Sequence, residues 1–119
     1  MSDEFLKVAT REINEELDGI MRILDSCSDY SDMAKNSTAL ESHMHKIKGL
    51  APMMGKENVG NLAKTLDSIL KKIVSGHKVE GFFDSLLLST EQMKKAMERN
   101  HDLGPIQKEI SDIASKIPI

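Results

Sequence analysis

One histidine in this sequence lies where its imidazole could act as a nucleophile. His45 is followed by lysines at the next and the third positions and then by Gly49. At about 100° per residue, His45 falls roughly 140° from the apolar stripe of its predicted helix and faces solvent. An exposed imidazole beside the ammonium group of Lys48, with no side chain one turn on at Gly49, could accept a phosphoryl group. Ordinary explanations stay open: a plain surface histidine, a helix end or kink at Gly49, and a solvated lysine face.

A carboxylate on the next predicted helix could orient that imidazole. Asp67 lies just past the edge of the apolar stripe of its helix, at about 140° on the same helical wheel. If the two helices are antiparallel neighbours, Asp67 can accept the Nδ1–H of His45 and leave the Nε2 lone pair free. A surface ion pair with Lys64 or Lys71, which would stabilise the protein little, explains Asp67 equally well. The residues alone leave both interpretations open.

The spacing of apolar residues predicts five helical segments and no strand. They cover roughly 3–25, Thr38 to a stop at Pro52–Gly55, 57–75, 79–99 and a segment opened by Gly104-Pro105. Thr38 and Glu41 form a possible capping box for the second helix, whose start near Asp32 is the alternative. Short connections between long helices favour an all-α fold, as an up-down antiparallel four-helix bundle with an additional C-terminal fifth helix. We expect a single domain over residues 1–119.

Composition and charge exclude several classes of function. The net charge is −3 and no basic stripe with interleaved aromatic residues is present, so no nucleic-acid partner is expected. Apolar runs are only a few residues long, which predicts no contact with a membrane. The lone Cys27 and a polar start unlike a signal peptide favour a cytoplasmic location. His43 and His45 point about 200° apart and cannot share an ion, so no metal or cofactor is expected. The eight methionines are interpreted as core filling rather than as a soft binding surface.

The same residues resemble a known family motif. His45-x-x-Lys48-Gly49, followed by Gly55, resembles the phosphoacceptor motif of histidine phosphotransfer domains. The closer likeness is to the N-terminal phosphoacceptor domain of CheA-type chemotaxis histidine kinases. The segment 62–67 is similar to the L-A-H-x-L-E segment of that family, and the likeness extends over nearly the whole chain.

The resemblance implies a role for each matching residue. His45 would be the phosphorylated residue, Lys48 would assist the phosphoryl group, and Gly49 would give a partner access to the ring. Asp67, one methylene shorter than the glutamate of the family, would orient the ring of His45. Lys64 stands where the family has a second histidine, which alters the expected hydrogen bonding around the site.

The resemblance also implies partners. The ATP-binding domain of a kinase would donate the phosphoryl group, and a response-regulator receiver domain would take it onto an aspartate, as in chemotaxis-type two-component signalling. ATP and Mg²⁺ would come through these partner domains, and the chain, monomeric as an isolated domain, would bind neither. The sequence holds no Gly-rich nucleotide loop, so the chain itself is expected neither to bind ATP nor to phosphorylate itself. Whether it belongs to a protein-histidine kinase or is a free-standing carrier stays open. The alternative function is a helical scaffold or adaptor that binds a partner protein through a surface groove.

Overall fold

Helices form all the regular structure of the chain in a computed structural model that describes residues 1–118. In chain order they are α1 (Asp3–Asp25), α2 (Tyr30–Lys35), α3 (Ser37–Leu50), α4 (Glu57–Val74), α5 (Phe82–Glu98) and α6 (Gly104–Ser115), with a 3₁₀ turn at Pro52–Met54. No strand is found among the described residues. The predicted all-α class is therefore confirmed.

The first helix begins and ends where the sequence predicts. The Oγ of Ser2 accepts the backbone N–H of Phe5 at 3.0 Å, which satisfies one of the free donors of the first turn. Asp3 and Glu4 lie in that turn, where negative charge is favourable. The cap at Ser2 and the acidic first turn therefore fix where this long helix begins. One apolar face of α1 is buried.

The second predicted helix is divided into two, which corrects the sequence analysis. Asp29 starts the short helix α2 by accepting the N–H of Asp32 at 2.9 Å, so helical structure begins near the alternative start at Asp32. Asn36 then separates α2 from α3, and its side-chain amide donates to the carbonyl oxygen of Asp32 instead of capping α3. The predicted capping box is wrong, because α3 already begins one residue before Thr38. Glu41, its expected second member, instead lies beside His45.

A short and closely packed connection joins α3 to α4. Pro52 ends α3 as predicted, since it opens the 3₁₀ turn two residues after Leu50. Gly55 then adopts a φ of 83°, which favours glycine and turns the chain towards α4. The ring of Pro52 lies on Gly60, where an added Cβ would come within 2.6 Å of the proline Cγ. This contact sets how closely the connection approaches α4.

The later helix bounds differ slightly from the prediction. α5 begins at Phe82 rather than near residue 79, because Gly81 has a φ of 76° and cannot continue a right-handed helix. Val79 remains buried although it lies outside the helix. α6 begins at Gly104 with Pro105 in its first turn, as expected, and ends at Ser115.

Buried apolar side chains from all six helices meet in one core. α3 packs mainly on α4 and also on α1, while α1 also contacts α5 and α6 lies against α4 and α5. The protein measures 42 × 26 × 21 Å. Core filling by methionine is confirmed for five of the eight: Met33, Met44, Met54, Met93 and Met97. Within residues 1–118, no helix has both the length and the apolar character needed to span a bilayer.

Candidate functional site

His45 lies on the exposed side of α3, as its position in the sequence predicts. Its side chain is 58% exposed, whereas Met44 and Ile47 on either side of it are fully buried. Among the described residues, hydrogen bonding reaches the ring only at Nδ1, and no partner is found for Nε2. The imidazole therefore presents Nε2 to solvent.

Asp67 holds that ring from the neighbouring helix α4. Its Oδ2 lies 3.2 Å from Nδ1 of His45, within direct hydrogen-bonding distance despite the short aspartate side chain. Asp67 is 1% exposed, so it is not the surface residue of the alternative interpretation. The ion pair of that alternative is nonetheless present, because Lys71 Nζ lies 3.2 Å from the same oxygen. Asp67 thus holds an imidazole and an ammonium group together.

The surroundings of Asp67 keep its carboxylate ionised. Burial raises the pKa of Asp67, but the interactions with Glu41, His45 and Lys71 outweigh burial and lower the pKa below the ordinary value of 3.8. With Nδ1 of His45 as the donor, the neutral ring carries its lone pair on Nε2. The second oxygen of the carboxylate, Oδ1, is buried and has no hydrogen-bond partner among the described residues.

Glu41 is a site residue that the sequence analysis missed. Its Oε2 lies 3.8 Å from Nδ1 of His45, one helical turn away on α3. The pKa of Glu41 is raised above 4.5, first because its carboxyl group lies close to the carboxylate of Asp67 and second because it is partly buried. The signal in the sequence was the spacing of four residues between Glu41 and His45, which puts both on one helix face.

The three lysines considered for the site have different environments. Lys48 Nζ lies 3.5 Å from Oδ2 of Asp67, so this ammonium group sits at the inner side of the imidazole. Lys71 approaches the same oxygen from α4. Lys64 is exposed and takes part in none of the side-chain hydrogen bonds or ion pairs found within residues 1–118. A supporting role for Lys64 stays a prediction.

Gly49 leaves the surface beside His45 open. A Cβ added at Gly49 would have no heavy atom within 4 Å outside its own helix backbone. Contacts within the protein therefore do not require glycine here, although glycine inside a helix costs about 1 kcal/mol relative to alanine. Clearance for a molecule that approaches His45 is the interpretation consistent with this open space.

The other histidine of α3 has a structural contact. Nδ1 of His43 lies 2.7 Å from Oε1 of Glu16 on α1, and Lys46 pairs more loosely with the same oxygen at 3.8 Å. The ring of His43 lies on Gly19, where an added Cβ would be 2.6 Å from its Cε1. His43 thus joins α3 to α1, on the opposite side of α3 from the contact between His45 and Asp67.

The geometry presents one imidazole nitrogen without a partner among the described residues, and two ammonium groups lie beside the carboxylate that holds the ring. Comparison of the chain with protein-family models, with curated proteins and with solved structures found no match. The chemistry of the site therefore follows from its own residues. A neutral imidazole held at Nδ1 by a buried carboxylate can attack an electrophile through Nε2, and the carboxylate then stabilises the positive charge that develops on the ring.

Proposed function

We propose that this protein is a histidine phosphotransfer module in which His45 accepts and returns a phosphoryl group. One observation carries the proposal: Nδ1 of His45 lies 3.2 Å from a buried carboxylate oxygen of Asp67, while the ring itself is exposed to solvent. A phosphoryl carrier needs this combination, because its nucleophile must be oriented from inside and must be accessible to partners from outside.

The proposed cycle is two phosphoryl transfers through Nε2. In the first, the Nε2 lone pair attacks the γ-phosphorus of ATP held by a kinase domain, the N–P bond forms, and the bond to the bridging oxygen breaks to release ADP. In the second, a carboxylate oxygen of a receiver domain attacks the same phosphorus, and the N–P electron pair returns to Nε2. The proton on Nδ1 stays in place, facing Asp67 throughout both steps.

The neighbouring charges support this chemistry. A phosphoryl group on Nε2 brings negative charge to a ring whose contact with Asp67 is flanked by the ammonium groups of Lys48 and Lys71, both within 3.5 Å of that carboxylate. Both lysines balance the carboxylate in the free protein and can turn towards the phosphoryl group when it arrives. Mg²⁺ and ATP are supplied by the partner domains, which close over the open surface at Gly49.

The fold supports the same proposal at the level of architecture. We assign the chain to the histidine phosphotransfer family, with α1, α3, α4 and α5 as an up-down antiparallel four-helix bundle and α6 as the additional helix. The tight connection between α3 and α4 favours antiparallel packing of the two helices that carry His45 and Asp67. In this proposal the module is a cytoplasmic monomer that exchanges phosphoryl groups with a kinase domain and a receiver domain of a chemotaxis-type system.

A small-molecule phosphoryl donor tests the proposal without a cognate kinase. Phosphoramidate transfers its phosphoryl group to imidazole nitrogen and releases ammonia, and ³¹P NMR distinguishes attachment at Nε2 from attachment at Nδ1. We expect one phosphoryl group, stable to alkali and labile to acid, on Nε2 of His45. His45→Gln should abolish it, whereas His43→Gln, on the same helix and also held by a carboxylate, should retain it. A label that persists in the His45→Gln variant would overturn the proposal.

A further inference from the structure

Three potential metal ligands meet at the inner side of the His45 ring. Glu41, His45 and Asp67 each offer one ligand atom, and these atoms lie within 4.8 Å of one another. Nδ1 of His45 is 3.2 Å from Asp67 Oδ2 and 3.8 Å from Glu41 Oε2. Around a tetrahedral ion with bonds of about 2.0–2.1 Å, neighbouring ligand atoms are separated by roughly 3.3 Å. The separations of 3.2 and 3.8 Å from Nδ1 are close to this value, and since all three ligand atoms lie within 4.8 Å, side-chain movements of about an ångström would let them share one ion.

A second observation at this place concerns the buried carboxylate. Oδ1 of Asp67 is buried without a hydrogen-bond partner among the described residues, although the side chain is 1% exposed. A buried polar atom without a partner calls for an explanation, and an ion that the atom can bind is one. Lys48 and Lys71 both contact Oδ2, the oxygen that lies 3.2 Å from Nδ1 of His45, so a cation bound through Oδ2 would compete with the two ammonium groups, while Oδ1 gives the same carboxylate a second oxygen that has no competing partner among the described residues.

We propose that Glu41, His45 and Asp67 form a site for a borderline divalent ion, Zn²⁺ in the first place. One imidazole nitrogen and two carboxylate oxygens are ligands that Zn²⁺ accepts, and three protein ligands leave a fourth position for water. That position is accessible, because a shallow cleft of about 270 Å³ lined by Glu41, His45 and Lys71 opens beside the ring.

The charges around the site limit its affinity. Two ammonium groups within 3.5 Å of Asp67 repel a cation, which distinguishes this site from a closed structural zinc site. We therefore expect reversible binding in the micromolar range. Zn²⁺ on Nδ1 would displace the Nδ1 proton and draw electron density away from Nε2, so bound metal would oppose phosphoryl acceptance. This last consequence rests on the proposed function, but metal binding itself does not.

Titration of the full chain with Zn²⁺ against a chromophoric chelator of micromolar affinity tests the site. We expect one equivalent to bind to the wild-type protein and both Glu41→Gln and His45→Gln to weaken binding at least tenfold. His101→Gln, whose histidine pairs with Gln92, and Cys27→Ser should bind like wild type. The ¹⁵N resonance of Nδ1 in His45 should shift on addition of one equivalent, which reports on the ligand atom directly.

The outcomes separate this site from adventitious binding and from the proposed function. Absence of binding below about 1 mM, unchanged binding in either the Glu41 or the His45 variant, or loss of binding in a control variant would each overturn the site. Circular dichroism establishes that every variant is folded. Because no phosphoryl donor is present, failure of phosphorylation leaves this result unaffected, and absence of metal binding leaves the phosphorylation test unaffected.

Discussion

Asp67 and His45 form a contact between a buried group and an exposed one. Oδ2 of Asp67 lies 3.2 Å from Nδ1 of His45, and the two side chains are 1% and 58% exposed. The carboxylate is protected from water, which would compete for its hydrogen bonds, while the far edge of the ring remains accessible. The buried carboxylate of Asp67 therefore orients the ring at Nδ1, while the opposite edge of the ring remains accessible at Nε2.

Replacement of Asp67 by asparagine should remove the preference of His45 for one tautomer. A carboxylate only accepts at Nδ1, whereas an amide can either accept or donate, so Nε2–H forms become populated. Two-bond ¹H–¹⁵N NMR spectra of the His45 ring measure the tautomers. The phosphorylation rate with phosphoramidate should fall roughly 10- to 100-fold. This is the loss of activity seen when a carboxylate that orients a histidine ligand in a metal site is removed, and Asp67 orients His45 in the same way. An unchanged tautomer and rate would show that Asp67 does not orient the ring.

Gly49→Ala should raise the stability of the protein but slow phosphoryl transfer to a receiver domain. An alanine methyl group meets no atom outside its own helix, so the helix gains about 1 kcal/mol and the melting temperature rises. Phosphorylation by the small donor phosphoramidate should be unaffected, whereas transfer to a receiver domain that must close over His45 should slow down. Equal rates of receiver transfer in the variant and the wild type would remove the proposed role of Gly49 in access.

Gly60→Ala is the matched control, because the same substitution should there lower stability. There a Cβ would come within 2.6 Å of Pro52 Cγ, so the 3₁₀ turn must move away from α4. We expect Gly60→Ala to lower the free energy of unfolding by about 1–3 kcal/mol, as is usual for overpacking. Urea denaturation of the two variants side by side checks the opposite signs. Stabilisation by Gly60→Ala would contradict the close approach of Pro52.

Glu41→Gln should change how stability depends on pH. The pKa of Glu41 lies above 4.5 in the folded protein, so folding binds this proton and wild-type stability falls as the pH rises through the raised pKa. The glutamine amide keeps a donor towards Asp67 at every pH. Relative to wild type, the variant should therefore become more stable between pH 4 and pH 7, as measured by urea denaturation at both values.

Asp67→Asn should show the opposite dependence. The pKa of Asp67 lies below 3.8 in the folded protein, so its carboxylate stabilises the fold above that value, and this stability is lost as the pH falls through the lowered pKa. The deficit of the variant relative to wild type should be larger at pH 7 than at pH 2.5. If both variants changed in the same direction with pH, the assignment of the proton to Glu41 and the charge to Asp67 would be wrong.

Lys71→Met and Lys64→Met should differ although both lysines lie on α4. Lys71 contacts Asp67 and lowers its pKa, so its removal should raise the pKa of Asp67. Lys64 has no such contact and should leave that pKa unchanged. A ¹³C NMR titration of the side-chain carboxyl group measures the pKa of Asp67 in each variant. An equal shift in both would mean that general charge, and not the contact, sets the value.

The long helices could be predicted from sequence, because their apolar residues repeat over many turns. The bounds of α1 and the exposure of His45 both follow from that periodicity. α2 was not predicted as a separate helix because six residues are too few for a repeat, and its signal is the cap at Asp29. Thr38 and Glu41 have the spacing of a capping box, yet α3 begins at Ser37, so Thr38 lies inside the helix and cannot be its N-cap.

The candidate site could be predicted only in part. Helical geometry gave the direction of His45 and brought Asp67 within its reach, but not the burial of Asp67, which depends on how tightly α3 and α4 pack. Lys71 appeared in the sequence as one of two alternative partners, and only the packed structure distinguishes it from Lys64. Glu41 was overlooked because its four-residue spacing from His45 was interpreted only as part of a capping box, and its proximity to Asp67, which raises its pKa, depends on the packing of α3 on α4.

The two carboxylates that hold the histidines of α3 restrain the rotation of this helix. His43 is hydrogen-bonded to Glu16 of α1 and His45 to Asp67 of α4, on nearly opposite sides of the helix axis. Any twist of α3 about its axis would displace both imidazoles from their partners at once. If His45 accepts a phosphoryl group as proposed, a docking partner would therefore meet an imidazole whose direction is already restrained, and part of the entropy of alignment would be lost during folding rather than at each encounter.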